Sequence, residues 1–425
     1  MQLIVFVVVL VGLIGLLHWY LWKRLVRDAT RPGTVRRIGT VAALVLMALV
    51  PATLIGGRAL PPDTARWLAW PGYVWIALFF YLLVFLVLLE IPRAVLMRSA
   101  RRRAAAPAAP EPVTVAAPTG ERAETAATAT IGTGDEDRAR LIGRRLLIAR
   151  SGAALAGAAA AGVVGYGMAT ALGGPRITPI TVPLAKLPAG LDGLRIAVVS
   201  DIHLGPLLGR SHTERIVRVI NEQQVDVVAV VGDLVDGTVA ELGEAAAPLR
   251  DLTSTHGSFF VTGNHEYYSG ATAWLAELER LGLTVLANER TEIRAGGGVL
   301  DLAGINDVSA GEEGRGGVES GVEGADFDRA LGGRDESRPV VLLAHQPVAV
   351  DEAAARGVDL QLSGHTHGGQ MFPFHGIVRL EQPALAGLST VGGTRLFVTR
   401  GAGFWGPPVR VGAPPEVAVV RLTTG

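Results

Sequence analysis

The chain has 425 residues, of which 49% are hydrophobic and 18% charged, so it exceeds one ordinary domain of about 100 to 200 residues. Its 39 basic and 39 acidic residues cancel, which excludes a strongly basic nucleic-acid-coating protein and an acidic disordered tail. Cysteine is absent, which excludes disulfide scaffolds, thiol nucleophiles and cysteine-ligated metal sites. Residues 1–175 hold 19 basic and 9 acidic side chains, whereas residues 176–425 hold 20 and 30. This asymmetry predicts two regions in different surroundings.

Residues 1–98 are predicted to form a membrane region with three transmembrane helices. Residues 3–22 are an almost uninterrupted apolar run, long enough for a helix to cross about 30 Å of hydrocarbon. Similar runs cover about 38–57 and 67–91. Aromatic residues typical of a membrane interface begin the third run: Trp67, Trp70, Tyr73 and Trp75. Buried core helices rarely stay apolar all round for so long, so the lipid bilayer is the expected partner.

A fourth apolar segment, at residues 146–174, has two interpretations. Residues 151–172 carry no charge, but 14 of these 22 residues are Ala or Gly, so membrane insertion is only weakly favoured. Ala169-Thr170-Ala171 resembles the cleavage site of an export signal, and Arg144-Arg145 resembles a twin-arginine signal. The segment is therefore predicted to be a fourth transmembrane helix or a signal-like anchor, and the sequence leaves open whether residues 151–172 are cleaved or retained.

The distribution of Lys and Arg predicts the orientation, since short positively charged loops tend to stay in the cytoplasm. Six basic residues against one acidic residue separate the first two spans, and ten Arg lie between Arg93 and Arg145. With four spans, the protein is a multi-pass cell-membrane protein whose residues after 172 are extracytoplasmic. Residues 99–145 are predicted to form a cytoplasmic Ala/Pro/Arg-rich linker, which is expected to be disordered over 99–130 because it lacks apolar periodicity.

From residue 176 to 425, short β-branched runs alternate with helical patterns, which indicates a layered α/β domain. Strands are predicted at 195–200, 225–231, 258–261, 340–343 and 358–362. Ser211 and Glu214 have the spacing of a capping box for the helix after the first strand. Each strand runs straight into polar residues: Asp201 and His203, Asp233 and Asp236, Asn264 to Glu266, His345, and His365 and His367.

These five loops are expected to meet, because ligands collect at the carboxyl ends of strands in α/β sheets. Their side chains suit two divalent ions about 3.5 to 4 Å apart, which need a bridging carboxylate to offset their mutual repulsion. Such a pair acidifies a bridging water, and the resulting hydroxide attacks phosphorus in line while a nearby His protonates the leaving oxygen. Glycines at 232, 263 and 364 suit a backbone that turns sharply beside such a site.

The blocks Asp-x-His, Gly-Asp-x-x-Asp, Gly-Asn-His-Glu, His and Gly-His-x-His occur in this order, and through them residues 185–422 resemble the calcineurin-like metallophosphoesterases. The resemblance implies a four-layer α/β sandwich following the N-terminal helical transmembrane region. It implies one metal bound by Asp201, His203, Asp233 and His367. It implies a second metal bound by Asp233, Asn264, His345 and His365. By the same resemblance His265 is the non-ligating acid, so His265 and the bridging Asp233 are the candidate catalytic side chains.

Other polar residues have two interpretations each. Asp236 and Glu266 either orient the metal ligands or cap a helix. Arg400 and Arg410 either bind a substrate phosphate through paired hydrogen bonds or form ordinary salt bridges. The Gly-rich residues 309–324 predict a flexible surface insertion.

Residues 362–370, 398–401 and 414–416 resemble the bacterial membrane-associated branch of the family, which includes phosphodiesterases and lipid-linked pyrophosphatases. The expected function is a membrane-anchored two-metal phosphoesterase that hydrolyses a phosphodiester or pyrophosphate bond, including one in a lipid-linked substrate. The alternatives are a phosphomonoesterase of the same fold and a non-catalytic metal-dependent binding protein. Mn, Fe and Zn all suit these ligands, and no nucleic-acid binding is expected. Transport has no support, since the predicted spans lack paired charges near their middles.

Overall fold

The computed structural model describes residues 2–105, 132–310 and 323–425, and leaves the side chains of 2–7, 10, 100–105 and 132–141 undescribed. The chain divides into two compact units. One consists of Met1–Pro51 and Trp75–Val163, and the other of Ala52–Val74 and Val164–Gly425. Most of the insertion predicted at 309–324 lies outside the described residues, because these stop at 310 and resume at 323.

Long helices form the N-terminal part of the chain: α1 (Gln2–Leu21), α2 (Thr34–Ala59), α3 (Pro62–Ala105) and α4 (Gly132–Leu172). A π-helical segment, Trp22–Arg27, follows α1. Among the described residues, three stretches are long and apolar enough to cross a membrane: Thr34–Ala59, Pro62–Ser99 and Ile142–Leu172. They contain the segments predicted at 38–57, 67–91 and 151–172. Large aliphatic side chains such as Ile55 and Leu88 are exposed on them, which is typical of helices that face lipid.

The linker predicted at 99–145 is helical at both of its ends. Helix α3 continues to Ala105, and α4 begins at Gly132. The expectation of disorder is therefore wrong for residues 99–105, where Ala and Arg, two strong helix formers, extend the helix. The rest of the predicted linker, residues 106–131, lies outside the described residues.

The first unit contains a cluster of paired charges. Arg24 contacts Asp28 at 2.9 Å and Glu90 at 2.7 Å, and Arg93 contacts Asp28 at 3.3 Å and Glu90 at 3.2 Å. The hydroxyl of Tyr20 also donates to Glu90 at 2.7 Å. Glu90 stands at the end of the span predicted at 67–91, where pairing offsets the cost of placing a carboxylate on an apolar helix.

The second unit contains two six-stranded sheets within the described residues. The strands of the first sheet, in spatial order, are β1 (Arg176–Leu184), β12 (Glu416–Thr424), β2 (Arg195–Val199), β3 (Val227–Val231), β4 (Ser258–Val261) and β5 (Thr284–Val285). Those of the second are β10 (Gly387–Val391), β11 (Thr394–Val398), β9 (Leu360–Ser363), β8 (Val340–Leu343), β7 (Gly298–Gly304) and β6 (Glu289–Ala295). The predicted strands are present, with ends displaced by two residues at most.

Helices cover the outer faces of both sheets, so the domain has the four layers that the sequence predicts. On the first sheet they are α5 (Arg210–Asn221), α6 (Val239–Ala246) and α8 (Ala271–Arg280), and on the second they are α9 (Phe327–Leu331) and α10 (Val350–Ala355). Two further short helices are α7 (Asn264–Ser269) and α11 (His375–Val378). One apolar core lies between the sheets and joins residues such as Val198 of β2 and Leu362 of β9. A second joins the first sheet to its helices, including Trp274, and a third joins the second sheet to α9 and α10. Strand β3 is buried at all five positions, as expected for a parallel strand covered on both faces.

Helix α5 begins one residue before the predicted capping box. Its N-cap is Gly209, without a side-chain hydrogen bond, so the assignment of Ser211 as the cap is wrong. Glu214 instead accepts a hydrogen bond from Arg210 on the same helix at 2.8 Å. The i, i+4 spacing on an exposed helix face favours this ion pair.

Candidate metal centre

The carboxyl ends of parallel strands carry the predicted site residues in both sheets. Strands β2, β3 and β4 are parallel in the first sheet, as are β7, β8 and β9 in the second. The loops after five of these strands supply the polar residues: Asp201 and His203 (β2), Asp233 and Asp236 (β3), Asn264 to Glu266 (β4), His345 (β8), and His365 and His367 (β9). The fold therefore brings the five predicted blocks to neighbouring loops.

Backbone hydrogen bonds hold these loops together, and several residues in them have strained torsions. Asp201 donates its N–H to Gly232 O, and His203 donates to Asp233 O, both at 3.1 Å. Five predicted ligands have left-handed backbone torsions, with φ between 50° and 70°: Asp201, His203, Asp233, His365 and His367. Such torsions cost of order 1–3 kcal/mol at residues other than Gly, and they persist where the surroundings fix them. Their concentration at one point indicates a functional site.

Two of the predicted glycines are required by close approach of the backbone. Gly232 has φ +74°, and a Cβ there would lie 2.5 Å from the backbone nitrogen of Gly263. A Cβ at Gly364 would overlap Ser200 and lie 2.5 Å from an oxygen of Asp201. Both positions exclude a side chain, as the sequence predicts for turns beside the site.

Asp201, His203 and His367 form the first group of ligand atoms, which all lie within 4.8 Å of one another. Nε2 of His367 is 3.4 Å from Oδ1 of Asp201 and 3.0 Å from Nε2 of His203. All three residues are at least nine-tenths buried. One carboxylate and two imidazoles at this spacing suit a transition-metal ion.

Asp233, His345 and His365 form the second group, again within 4.8 Å. Oδ2 of Asp233 is 3.0 Å from Nε2 of His345, and Oδ1 of Asn264 is 3.1 Å from Nδ1 of His365. The same Oδ2 of Asp233 is 3.8 Å from Nε2 of His203, which belongs to the first group. Asp233 therefore lies close to histidines of both groups.

The donors at this site fit divalent metal ions. Nδ1 of His345 lies 2.8 Å from Val231 O, so this bond directs Nε2 toward Asp233. That Nε2 is buried and lies 3.0 Å from Oδ2 of Asp233. An imidazole oriented through one ring nitrogen, with the other directed at a carboxylate, is typical of a metal ligand. The two groups could thus hold metal, with Asp233 shared between them.

Asp236 contacts two of the histidines. Its carboxylate lies 3.2 Å from Nδ1 of His203 and 2.5 Å from Nδ1 of His265. These contacts fix both rings and leave each Nε2 available, so the structure favours the interpretation that Asp236 orients site residues over the helix-capping alternative. The three residues also form a third group close enough to hold a metal, although the hydrogen bonds to Asp236 occupy both Nδ1 atoms.

Glu266 is fully buried and binds backbone groups. Its carboxylate accepts hydrogen bonds from the N–H groups of Asp233, Leu234 and Gly263 at 3.0, 2.8 and 2.6 Å. It thereby ties the loop after β3 to the start of α7, and it both caps α7 and positions Asp233. Burial, with the negative charge of Asp233, raises the pKa of Glu266 to about 7.

The ionisable side chains of the site shift one another's pKa values. Burial opposes the ionised form of Asp233, but the neighbouring His345 and His265 outweigh it and hold its pKa well below the usual range. Burial likewise opposes protonation of His265, but Asp233 and Asp236 raise its pKa to about 9. Burial and the nearby His345 lower the pKa of His365 to about 4. His365 is therefore neutral at pH 7, which is the form that binds a metal.

Arg410 does not occupy the predicted phosphate-binding position. It is fully buried, and its guanidinium donates to the carbonyl oxygens of His367, Arg400 and Gly403. Burial lowers its pKa to about 10, so it remains charged at pH 7. Its donors are directed into the protein, where they fix the backbone of His367.

Arg400 also has a structural partner. Its guanidinium and its backbone N–H both contact the buried carboxylate of Glu416, each within hydrogen-bond distance. The salt-bridge interpretation therefore describes Arg400, and phosphate binding by this residue has no support in the structure.

Replacing Arg410 with Ala is expected to destabilise the domain. The change leaves the three buried carbonyl groups without this donor, at about 1–3 kcal/mol each, so a loss of at least about 3 kcal/mol is expected. This loss of stability should lower the apparent Tm of the detergent-purified chain. Arg421, which is exposed on β12, provides the control, since Arg421→Ala should shift the Tm little. Equal Tm values for the two variants would contradict the assignment.

Three site neighbours were not predicted from the sequence. Asp307, directly after β7, is buried and accepts a hydrogen bond from Gln346 at 2.8 Å. Tyr268 and Trp405 contact the ring of His265 edge-on, with centroids 5.7 and 5.8 Å away. The position of Asp307 after a strand was an available signal, whereas the loop that carries Trp405 had none.

Comparison with known proteins identifies metallophosphoesterases as similar to this chain. Residues 194–369 match the family model described as calcineurin-like phosphoesterase. Over 265 residues the chain is 40% identical to an uncharacterized metallophosphoesterase of Helicobacter pylori (strain ATCC 700392 / 26695), covering 61% of this chain and 68% of that protein. It is 32% identical over 290 residues to an uncharacterized metallophosphoesterase of Bacillus subtilis (strain 168), covering 66% of this chain and 96% of that protein.

A vertebrate protein is similar over the same extent. A transmembrane protein with metallophosphoesterase domain from Danio rerio is 39% identical over 264 residues, which are 60% of this chain. The match spans only 59% of the zebrafish protein.

Proposed function

Because the chain belongs to the calcineurin-like metallophosphoesterase family, we propose that it is a membrane-anchored two-metal phosphoesterase that cleaves a phosphodiester or pyrophosphate bond. The family suggests a metal-dependent phosphoester hydrolase. The observation that supports two metals is the position of Asp233, whose Oδ2 is 3.0 Å from Nε2 of His345 and 3.8 Å from Nε2 of His203. One carboxylate thus reaches both ligand groups.

The proposed ligand sets follow from these contacts. Asp201, His203 and His367 would hold one ion and Asn264, His345 and His365 the other, with Asp233 common to both. Two divalent ions bound here would supply the positive charge that lowers the pKa of an attacking water and stabilises the phosphoryl oxygens. Oxygen and imidazole ligands accept Mn, Fe or Zn, so the proposal commits only to divalent transition metals.

His265 is proposed to protonate the leaving oxygen. Its side chain is 15% exposed, and its backbone N–H donates to Oδ1 of Asp233 at 3.0 Å. Asp236 holds Nδ1, so the proton to be transferred lies on Nε2, which is 4.0 Å from Oδ2 of Asp233. An imidazolium held this close to the site can donate to an oxygen that leaves phosphorus.

The helices support membrane anchoring with the phosphoesterase domain outside the cytoplasm. Three described stretches are long and apolar enough to cross a membrane, and the basic residues concentrate around Lys23–Arg37 and Arg93–Arg145. Short basic loops tend to remain cytoplasmic, which places residues after Leu172 on the other side if four helices span. Retention of residues 151–172 as an anchor is part of this proposal.

Removing metal from the full-length chain in detergent is expected to abolish hydrolysis of bis(p-nitrophenyl) phosphate. Chelation followed by Mn²⁺, Fe²⁺ or Zn²⁺ should restore turnover, and metal analysis should find two ions per chain, because the proposal gives each ion its own ligand group. The substrate panel includes p-nitrophenyl phosphate and a lipid-linked pyrophosphate. Faster monoester cleavage would favour the phosphomonoesterase alternative. Absence of turnover with every metal and substrate would favour metal-dependent binding without catalysis.

A further inference from the structure

An exposed apolar segment lies next to the metal centre. We define the apolar rim as Phe372, Phe374, Ile377 and Leu380, on and around α11. Phe372 is 60% exposed, Ile377 57% and Leu380 84%. Clustered exposure of large apolar side chains is unfavourable in water and marks an interaction surface.

Hydrogen bonds connect this rim to the site. The side-chain amide of Gln370 donates to Trp405 O at 3.0 Å and accepts from Trp405 N at 3.1 Å. Trp405, itself 53% exposed, contacts the ring of His265. The backbone N–H of Phe372 donates to Val411 O at 3.0 Å. The rim is therefore attached to the loop that borders the proposed proton donor.

The same loop packs against membrane-type helices within the second unit. Arg410 N donates to Gly167 O at 2.9 Å, and a Cβ at Gly167 would overlap Val409 and lie 2.9 Å from Val411. Gly167 lies in the last six residues of α4, which ends at Leu172. At 1.5 Å per residue, the contact is about 8 Å from the end of that helix. Gly406 similarly lies against the ring of Tyr73 on α3.

We propose that the apolar rim inserts into the surface of the lipid bilayer and presents the metal centre to a phosphoester carried by a lipid. The contacts at Gly167 place the loop to which the rim is attached within about 8 Å of the end of a helix that is long enough to span. Apolar side chains in this position bury about 5–10 Å into the headgroup boundary. Membrane insertion of the rim does not depend on catalysis, whereas the choice of a lipid substrate rests on the proposed function.

The absence of cysteine permits a direct test on the full-length chain. Leu380→Cys is labelled with an environment-sensitive fluorophore, and the protein is reconstituted into phosphatidylcholine–phosphatidylglycerol vesicles with or without nitroxide-labelled lipids. Glu336→Cys is the matched control, because Glu336 is exposed in the turn before β8, at the end opposite the metal centre. The label at 380 should be blue-shifted and quenched by the nitroxide lipids, and the label at 336 should be neither.

Two results would overturn insertion of the rim. Equal, water-like emission at both positions would show that the rim does not contact lipid. A blue shift at 380 without quenching by nitroxide lipids would show that protein covers the rim, as a second copy of the chain would.

Activity then tests the lipid substrate separately. The double variant Phe372→Ser/Leu380→Ser should lower turnover of a vesicle-borne lipid phosphodiester, relative to bis(p-nitrophenyl) phosphate, by about tenfold or more, because two large apolar side chains no longer enter the bilayer. Equal losses on both substrates would contradict selection of a lipid substrate. If the wild-type chain turns over neither substrate, the proposed function is wrong. Quenching of the label at residue 380 by nitroxide lipids would still show whether the rim inserts.

Discussion

Replacing Asp233 with Ala is expected to lower hydrolysis of bis(p-nitrophenyl) phosphate by at least about 1,000-fold, since charge stabilisation by the metals contributes several kcal/mol to the transition state. The reason is geometric. Asp233 lies among His203, His265 and His345, and its removal would leave the two proposed cations without a shared carboxylate. Metal content measured on the same preparation should fall below that of the wild type, while recovery in the membrane fraction should not change.

Asp301 offers a matched control for this substitution. It is also a buried carboxylate of the second unit, but it lies on β7 opposite Val340, at the amino end of β8 and away from the metal centre. Asp301→Asn should retain both metal and activity. Near-wild-type turnover by Asp233→Ala, with normal metal content, would show that Asp233 does not bridge two ions.

The meeting of the candidate ligand residues at one place was predictable because two independent signals coincide in the sequence. Asp201, Asp233 and His345 each follow a short β-branched run, and such runs become parallel strands whose carboxyl ends meet. The residue types in the loops then limit the chemistry to oxygen and imidazole ligands. Periodicity and local composition are enough to predict both the strand ends and the residue types in the loops, and no long-range contact has to be known.

The roles of the neighbouring residues were not predictable in this way. Whether Arg410 faces substrate or the interior depends on how the loop after β11 folds back over His367, which no local pattern specifies. The orienting role of Asp236 likewise requires His203 and His265 to lie on either side of it. Both assignments depend on contacts between residues far apart in sequence.

The sequence also did not predict at which residues helices begin and end. Gly209, and not Ser211, is the N-cap of α5, and it makes no side-chain hydrogen bond. Residues 99–105 remain helical although their composition resembles a linker, since Ala and Arg favour continuation of α3. Local composition gives several acceptable ends to a helix, and packing selects among them.

Replacing His265 with Asn is expected to lower kcat by about 100- to 10,000-fold while leaving two metals bound, because a proton donor is lost and no ligand is removed. If His265 had only a structural role, its replacement would lower the kcat of all substrates equally. A proton donor matters most when the leaving oxygen is basic, so the loss should be larger for an alkyl phosphodiester than for bis(p-nitrophenyl) phosphate, whose leaving group needs little protonation. Loss of one metal equivalent would instead make His265 a ligand, in line with the third group that it forms with His203 and Asp236.

The pH profile gives a second test of the same residue. Burial lowers the pKa of His265, but Asp233 and Asp236 outweigh burial and raise it to about 9, so the protonated form required of a general acid predominates below that pH. Bound cations repel an imidazolium and lower this pKa, which places the basic limb of kcat at or below pH 9 in the loaded enzyme. Wild-type kcat should therefore fall as pH rises through this limb, and the fall should be absent from His265→Asn. A basic limb of the same position and depth in both proteins would assign the titration to another group and remove His265 from the proton transfer.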